Sequence, residues 1–177
     1  MTFERLGRVH LARGAIVDFD EDHLIAPDGR PMRRDVIRHR GGVAVLPVME
    51  RRIWLVRQFR NAYDGELWEI PAGRREAGEP AVETARRELV EELGAVADTL
   101  EPLAVVYPSP GYTAEVIHVF VAEGIVPGKR TPDGAEERFG VARFWELGEL
   151  LEMIDEGRLP DAKTQIAVLA WARRSGM

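Results

Sequence analysis

The sequence predicts an α/β (α+β) fold in which a mixed sheet lies between helices and a small arm of β-strands precedes it. Strand and helix patterns are interspersed along residues 41–177, whereas residues 1–40 contain strand patterns alone. The length of 177 residues suffices for one domain with a buried core and an additional segment. We therefore expect a β arm at residues 1–40 and a main domain at residues 41–177.

The arm is predicted to be a meander of short strands. Arg8–Ala12 and Ala15–Ala26 have β-branched or alternating character, and Met32–Arg40 alternates loosely. Pro27–Arg30 between them is a turn signal. Because a meander of this size is not stable alone, it must pack on another surface.

In the main domain, strands surround one central helix and two further helices follow. The predicted strands are Val43–Met49, Ile53–Arg60, Leu67–Pro71, Leu100–Tyr107, Glu115–Ala122 and Phe139–Trp145. The last two helices are predicted at Leu147–Glu156 and Asp161–Arg174, with Asp161 as the N-cap. Lys129–Glu137 is a polar loop.

The central helix is predicted between Pro80 and Gly94. Its apolar residues recur at spacings of three and four and define one buried face. They are Val82, Ala85, Leu89 and Leu93. Glu79 and Pro80 favour a helix N-terminus, and Gly94 favours a C-terminus.

Three glutamates, Glu88, Glu91 and Glu92, lie on the neighbouring arc of this helix. Each like-charge pair three or four residues apart costs about 0.2–0.5 kcal/mol on an isolated helix. A folded helix can bear this cost on a solvated acidic face, so that interpretation stays open. Oxygen-rich clusters are also what Mg²⁺ requires. Arg87 is placed to contact Glu83 and Glu91, each four residues away, and to hold Glu91 in position.

The spacing of these residues resembles the signature of the Nudix hydrolases. Gly73 is followed by Glu79 after five residues and, after seven more, by RELVEELG at residues 87–94. Ala95 departs from the pattern, because the family usually has a larger aliphatic residue there. The resemblance implies a Nudix-type α/β/α sandwich and an enzyme that hydrolyses a pyrophosphate bond.

The resemblance also implies a divalent cation, either Mg²⁺ or, as alternatives, Mn²⁺ or Zn²⁺. Its expected ligands are the Ala72 carbonyl and the carboxylates of Glu88, Glu91 and Glu92. Such a cation coordinates phosphate oxygens and a water molecule. Glu91 is expected either as a ligand, directly or through water, or as a base.

Three flanking features resemble the ADP-ribose pyrophosphatase branch of that family. They are RQFR at residues 57–60 with LWEIPAG at 67–73, Ser109-Pro110-Gly111 with Pro110 sixteen residues after Gly94, and the strand-rich arm. The substrate contacts that this resemblance implies are Arg57, Arg60, Gly73, Pro110, Gly111 and Glu115. For the two arginines a surface ion pair is the alternative, and for Glu115 an ordinary exposed position on a strand.

The base that activates water is expected on the acidic loop Thr131–Phe139. A carboxylate bound to a cation is a poor proton acceptor, because the cation favours its charged form. The resembling branch carries an acidic loop at this distance beyond the signature. We expect Glu136 first and Glu137 second, with Glu91 or Glu115 next. A solvated loop with incidental charge is the alternative.

The expected reaction is Mg²⁺-dependent hydrolysis of ADP-ribose to AMP and ribose 5-phosphate. Hydrolysis of GDP-mannose or another nucleoside diphosphate sugar is the alternative. A Nudix domain that only senses a ligand is a third possibility, against which the three intact carboxylates argue. The branch exchanges such an arm between subunits, so we expect a homodimer.

Composition excludes several other classes of protein. The net charge of −6 argues against non-specific binding to nucleic acid or to an anionic membrane. The chain has no cysteine, which excludes disulfides and thiolate zinc sites. No apolar run has the length of a membrane span, and the first residues lack the apolar stretch of a signal peptide. We expect a cytoplasmic protein that acts on a small molecule.

Overall fold

The computed structural model describes residues 2–132 and 138–176, which form two compact units. The first unit contains the residues up to 41 together with 107–116. The second contains residues 42–106 and those from 117 onward. The sequence-based division instead places residues 107–116 in the main domain.

The first unit contains the predicted meander, a three-stranded antiparallel sheet with the order β1-β2-β3. Its strands are β1 (Glu4–Arg13), β2 (Asp18–Ile25) and β3 (Pro31–Arg38). The turn between β2 and β3 lies at the predicted position, where the N–H of Gly29 donates to the carbonyl of Ala26. Residues 107–116 join this unit because the N–H of Ile37 donates to Tyr112 O and the N–H of Ala114 donates to Ile37 O.

One face of this sheet carries a network of ion pairs around two buried carboxylates, Asp20 and Asp22. The Arg38 guanidinium contacts both, at 3.1 Å from Asp20 and 2.5 Å from Asp22. Arg8 contacts the same two carboxylates from β1. Several apolar side chains of the first sixteen residues are instead exposed. They are Phe3, Leu6, Val9, Leu11 and Ile16.

The second unit is built on a seven-stranded mixed sheet. Its strands are β4 (Gly42–Met49), β5 (Arg52–Arg60), β6 (Gly65–Glu69), β7 (Ala72–Arg74), β8 (Ala95–Val106), β9 (Ile117–Pro127) and β10 (Val141–Glu146). The order is β10-β5-β4-β9-β8, with β6 on β5 and β7 on β4. The β4–β9 pair is parallel and the other pairs are antiparallel.

Helices cover both faces of this sheet. They are α1 (Ala81–Glu88), which continues as a π-helical segment (Leu89–Leu93), α2 (Leu147–Asp155) and α3 (Ala162–Arg174). No helix in the described part of the chain is long and apolar enough to cross a membrane.

Alternation along β4 assigns its side chains to two separate hydrophobic clusters. Ala44 and Leu46 pack with the buried residues of α2 and α3, whereas Val43 and Val45 pack with Ala85 of α1 and with the π-helical segment. Successive side chains of a strand point to opposite faces, which produces the two layers. The predicted α/β/α sandwich is therefore confirmed.

Some predicted element bounds are wrong by several residues. β8 begins at Ala95 and not at Leu100, because it is an edge strand in which the successive exposed residues Asp98 and Thr99 interrupt the alternation. β9 begins at Ile117 and continues to Pro127, beyond the predicted end at Ala122. The first residues of β8 pair with the last residues of β9, so tertiary pairing extends both strands.

Candidate active site

The three signature glutamates lie where α1 changes into the π-helical segment. Glu88 is the last residue of α1, and Glu91 and Glu92 belong to the π-helical turn. Single π turns inside helices occur frequently at functional sites. The helix ends at Gly94 as predicted, with a φ of 65° in the left-handed region. A side chain at Gly94 would meet the backbone of Arg130 at 2.4 Å, so both conformation and space require glycine.

Arg87 gathers the acidic groups of this region around one guanidinium. Its Nη1 lies 2.7 Å from Glu88 Oε1 and 2.8 Å from Glu91 Oε2, and its Nε lies 3.4 Å from Glu79 Oε1. The predicted contact with Glu91 is confirmed, while Glu79 and Glu88 complete the set in place of Glu83. Burial opposes the charge of Arg87, but the surrounding carboxylates raise the pKa of the guanidinium above its ordinary value.

Glu79 ties the loop after β7 to the helix. Its carboxylate accepts a hydrogen bond from the Glu76 N–H at 3.0 Å, and its carbonyl accepts one from the Arg75 guanidinium at 2.7 Å. The Glu76 amide and Arg87 are among the groups that lower the pKa of Glu79 to about 2. Glu79 therefore stays ionised at any physiological pH and keeps its contact with Arg87.

Glu92 connects the helix with β5 and with the start of β7. Gln58 Nε2 donates to Glu92 Oε2 at 3.0 Å, and the Ala72 N–H donates to Glu92 Oε1 at 3.2 Å. The exposed fraction is 2% for Glu92 and 4% for Glu88. A solvated acidic face is therefore the wrong interpretation for these two residues. Buried carboxylates require hydrogen-bond donors or positive charge around them, and this region supplies both.

Gly73 is required by the position of the Glu88 carboxylate. A Cβ atom at Gly73 would lie 1.8 Å from Glu88 Oε1 and 2.0 Å from its Cδ. The resemblance predicts Gly73 as a substrate contact. In the structure the group that approaches this glycine closely is the carboxylate of Glu88.

The two arginines of β5 have acidic partners within the second unit. Arg60 forms a forked pair with Glu69, with both nitrogen–oxygen distances at 2.7 Å. Burial alone would raise the pKa of Glu69, but Arg60 and Lys163 lower it below its ordinary value. Arg57 Nε lies 3.4 Å from Glu66 Oε2, and its guanidinium lies over the ring of Trp68. Phosphate binding by either arginine stays a prediction beside these ion pairs.

Comparison with known proteins identifies the family. The NUDIX domain matches residues 38–169, which include the glutamate helix, its loop and most of α3. The chain belongs to the Nudix hydrolase family. The resemblance predicted from the Gly73–Gly94 spacing is therefore confirmed.

Named relatives of this Nudix hydrolase differ in their described roles. An ADP-ribose pyrophosphatase of Bacillus subtilis (strain 168) is 35% identical over 92% of this chain and 89% of its own length. A methanol dehydrogenase activator of Bacillus methanolicus is 37% identical over 88% of this chain and 84% of that protein. A GDP-mannose pyrophosphatase of Yersinia enterocolitica serotype O:8 is 36% identical over 71% of this chain and 68% of that protein.

A solved structure of an ADP compounds hydrolase has the same fold. It covers 99% of this Nudix chain and 97% of its own chain, with a TM-score of 0.84. The two sequences are 22% identical, so this likeness concerns the fold alone.

The donor chemistry of the Nudix glutamates fits a hard divalent cation. Within residues 2–132 and 138–176, no three His, Asp or Glu side chains are already arranged as a metal site. Glu88 and Glu91 nevertheless converge on one cationic nitrogen of Arg87, and Glu92 accepts hydrogen bonds beside the Ala72 backbone. Carboxylate and carbonyl oxygens are the ligands that Mg²⁺ prefers. Family members generally use divalent metal ions, so these residues are the candidates to hold one.

The remaining predicted site residues lie elsewhere. Pro110, Gly111 and Glu115 belong to the first unit, where Glu115 Oε1 lies 3.5 Å from His39 Nδ1. The Gly41 N–H donates to that same nitrogen at 3.1 Å. Glu136 and Glu137 lie outside the described residues.

The predicted site residues do not include Gln58 and Glu69, two polar residues that are buried in the site. Gln58 follows Val56 by two residues, in phase with the inward face of β5, so the period-2 pattern could have marked it as buried. Glu69 lies in the LWEIPAG segment, but its partner Lys163 is 94 residues away and no local pattern predicts that contact.

Proposed function

We propose that this Nudix hydrolase cleaves the pyrophosphate bond of ADP-ribose in the presence of Mg²⁺ and releases AMP and ribose 5-phosphate. The observation that carries the proposal is the cluster in which Glu88 and Glu91 share one nitrogen of Arg87 and Glu92 is fixed by Gln58 and Ala72. Resemblance to ADP-ribose pyrophosphatases of Bacillus and Mycobacterium over most of the chain supports the choice of substrate.

The cluster prepares oxygen ligands for a cation before any substrate binds. Gln58 and the Ala72 N–H orient the carboxylate of Glu92, and Arg87 orients those of Glu88 and Glu91. Pre-oriented donors avoid reorganisation during the reaction. Glu88, Glu91, Glu92 and the Ala72 carbonyl would hold the cation. When bound, Mg²⁺ neutralises phosphate charge and makes a bound water more acidic.

The remaining roles follow from the chemistry of hydrolysis. A water oxygen attacks one phosphorus atom, and the bridging P–O bond breaks so that each product carries one phosphate. Arg57 and Arg60 are proposed to face the phosphates, since a planar guanidinium can bind two phosphate oxygens at once. Glu136, with Glu137 as the next candidate, is proposed to accept the proton of the water. Gly73, Pro110, Gly111 and Glu115 are the other proposed substrate contacts.

A second candidate substrate class is GDP-mannose or another nucleoside diphosphate sugar. The observation in its favour is the similarity to a GDP-mannose pyrophosphatase of Yersinia enterocolitica. Both substrates present the same pyrophosphate to the glutamate cluster, so they differ at the base and the sugar. A Nudix domain that only senses a ligand is disfavoured because the three carboxylates are present and two of them, Glu88 and Glu92, are buried.

A substrate panel tests the function directly. We expect ADP-ribose to give AMP with the highest kcat/KM among ADP-ribose, GDP-mannose, ADP-glucose and a dinucleotide, and we expect EDTA to abolish turnover. Chromatography of the nucleoside monophosphate identifies the substrate and the bond that is cleaved. Faster release of GMP from GDP-mannose would support the second candidate. No turnover of any nucleoside diphosphate with Mg²⁺, Mn²⁺ or Zn²⁺ would overturn the proposed function.

We also propose a cytoplasmic homodimer in which the arm, residues 1–40, is exchanged and helps to build the substrate site of the partner. The argument rests on Leu6, Val9 and Leu11, which are exposed apolar residues of the well-formed strand β1. Exposed apolar clusters of this kind mark interaction surfaces. A strand at the edge of a sheet also needs a cover, since it can otherwise pair with other chains.

Charge introduced on β1 is expected to break this dimer. Leu6→Asp with Val9→Asp should give a monomer by light scattering at micromolar concentration and a higher KM for ADP-ribose. Val96→Asp is the matched control, because Val96 on β8 is 56% exposed and Leu6 is 59% exposed. A fully active wild-type monomer would refute the proposal, and an arm deletion with unchanged KM would remove the arm from the substrate site.

A further inference from the structure

The start of α3 is joined to the end of β6 by buried polar contacts. The Ile70 N–H donates to Thr164 Oγ1 at 2.9 Å, and the Thr164 hydroxyl in turn donates to Asp161 Oδ2 at 2.5 Å. Asp161 is the N-cap of α3 and also accepts from the Thr164 N–H at 2.9 Å. Thr164 is completely buried. Its hydroxyl is therefore an acceptor for the strand and a donor to the cap at the same time.

Lys163 closes these contacts into a ring. Its Nζ contacts both Glu69 Oε2 and Asp161 Oδ1, the latter at 2.8 Å. The ring runs from Ile70 through α3 to Glu69, and the peptide bond between Glu69 and Ile70 closes it. The first turn of α3 thus holds two successive residues. Glu69 is held through its side chain and Ile70 through its backbone. Glu69 is 1% exposed, so it is fixed in a dry environment.

The anchored residues lead directly into the candidate cation site. Pro71 follows Ile70, and its carbonyl accepts from the Val45 N–H at 2.9 Å. Ala72 comes next, and its N–H donates to Glu92 at 3.2 Å while its carbonyl is the proposed ligand. Every residue from Glu69 to Ala72 therefore has a fixed hydrogen-bonding partner. The contacts at Glu69 and Ile70 are the ones supplied by α3, which is remote in sequence.

We propose that Thr164 is a positioning residue for the divalent cation site. Its hydroxyl fixes Ile70 and thereby the backbone of Ala72, two residues further on, which donates to Glu92. The Lys163–Glu69 contact holds the same end of β6. The inference rests on the proposed function, because it assumes that the cation binds at Ala72 and the glutamates. It assigns a role to the C-terminal helix, for which the sequence motifs provide none.

Thr164→Val removes the hydroxyl and conserves the shape of the side chain. The buried Ile70 N–H then loses its acceptor, while Asp161 still caps α3 through the N–H of residue 164. Loss of an outer-shell partner typically weakens metal binding about 10–100-fold. Thr164→Ser keeps the hydroxyl and should restore wild-type behaviour. Val168→Ala, one turn later in the same helix, removes buried volume but no hydrogen-bonding group and serves as the control for lost stability.

Mn²⁺ binding, followed by the electron paramagnetic resonance of the free ion, is the first measurement. We expect Thr164→Val to raise the dissociation constant for Mn²⁺ about tenfold, and Thr164→Ser and Val168→Ala to leave it unchanged. The second measurement is hydrogen exchange at Ile70 without metal, which should be faster in Thr164→Val alone. In assays, the Mn²⁺ concentration for half-maximal rate should rise while KM for ADP-ribose at saturating Mn²⁺ stays constant.

Lys163→Met keeps the proposal testable if Thr164→Val does not fold. It removes one contact of Glu69 from a partly exposed position and should weaken Mn²⁺ binding in the same direction. Equal Mn²⁺ affinity in wild type, Thr164→Val and Lys163→Met would overturn the positioning role. If the wild type binds Mn²⁺ and hydrolyses ADP-ribose in that case, the proposed function stands and this inference alone fails. A wild type that binds no Mn²⁺ would overturn the positioning role, and it would overturn the proposed function as well if no nucleoside diphosphate were hydrolysed with Mg²⁺, Mn²⁺ or Zn²⁺.

Discussion

Glu92→Gln is expected to lower kcat by more than about 100-fold, the upper end of what loss of an outer-shell partner costs, while the fold is retained. The substitution removes one negative charge from the proposed cation ligands. The new amide oxygen can still accept from the Ala72 N–H, and Gln58 can turn its own amide to accept from the new NH₂ group. The buried polar groups therefore keep partners. The measurement is kcat at saturating Mg²⁺, with circular dichroism and thermal unfolding to verify the fold.

Glu83→Gln is the matched control for Glu92→Gln. It makes the same chemical change on the same helix, at a residue that is exposed. It should leave kcat and Mn²⁺ binding unchanged. Glu88→Gln should behave like Glu92→Gln, because Glu88 is equally buried beside Arg87. A kcat for Glu92→Gln close to that of wild type at saturating Mg²⁺ would contradict its assignment as a ligand.

Removal of the general base is the second change with a large expected effect. Glu136→Gln, or failing that Glu137→Gln, should lower kcat by roughly 10²–10⁴ while KM is spared. KM is spared because a base acts only in the transition state. The helix glutamates are not the first candidates, because they contact Arg87 and are the proposed ligands of the cation. Each variant is assayed across pH at saturating metal and substrate. The wild-type kcat should fall at low pH as the base is protonated. This decrease should be absent from the pH profile of the variant that lacks the base.

Comparison of the neighbouring variants assigns the base. Both substitutions are the same change one residue apart, so each controls for the effect of the other on the loop. If both variants keep more than about a tenth of wild-type kcat, the loss is below the range for a general base. The Thr131–Phe139 loop then does not supply the base, and Glu91 or Glu115 is the next candidate.

Local patterns in the sequence were sufficient to predict the centre of the site. The helix around Glu88, its end at Gly94 and the Arg87–Glu91 contact depend on residues three to seven positions apart, and helical geometry fixes such distances. The two-layer packing of β4 follows from alternation for the same reason.

Contacts between residues far apart in sequence could not be predicted in this way. The Lys163–Glu69 and Thr164–Ile70 contacts each join positions 94 residues apart, and nothing near either partner specifies the other. The burial of Glu92 was likewise not evident, because it depends on Gln58 from a different strand. Tertiary pairing also places residues 107–116 with the first unit, although the sequence predicts them as the end of one strand of the main domain, a loop and the start of the next strand.

The proximity of Gly73 to the Glu88 carboxylate makes these two positions energetically interdependent. A methyl group at position 73 would occupy the space of Glu88 Oε1, so the cost of Gly73→Ala includes the displacement of that carboxylate. When Glu88 is shortened to alanine, the same space becomes free and the methyl group has room. Free energies of substitution at neighbouring, coupled sites do not add. The cost of Gly73→Ala therefore depends on the residue at position 88, and the effects of substitutions at the two positions on stability and turnover will not be additive.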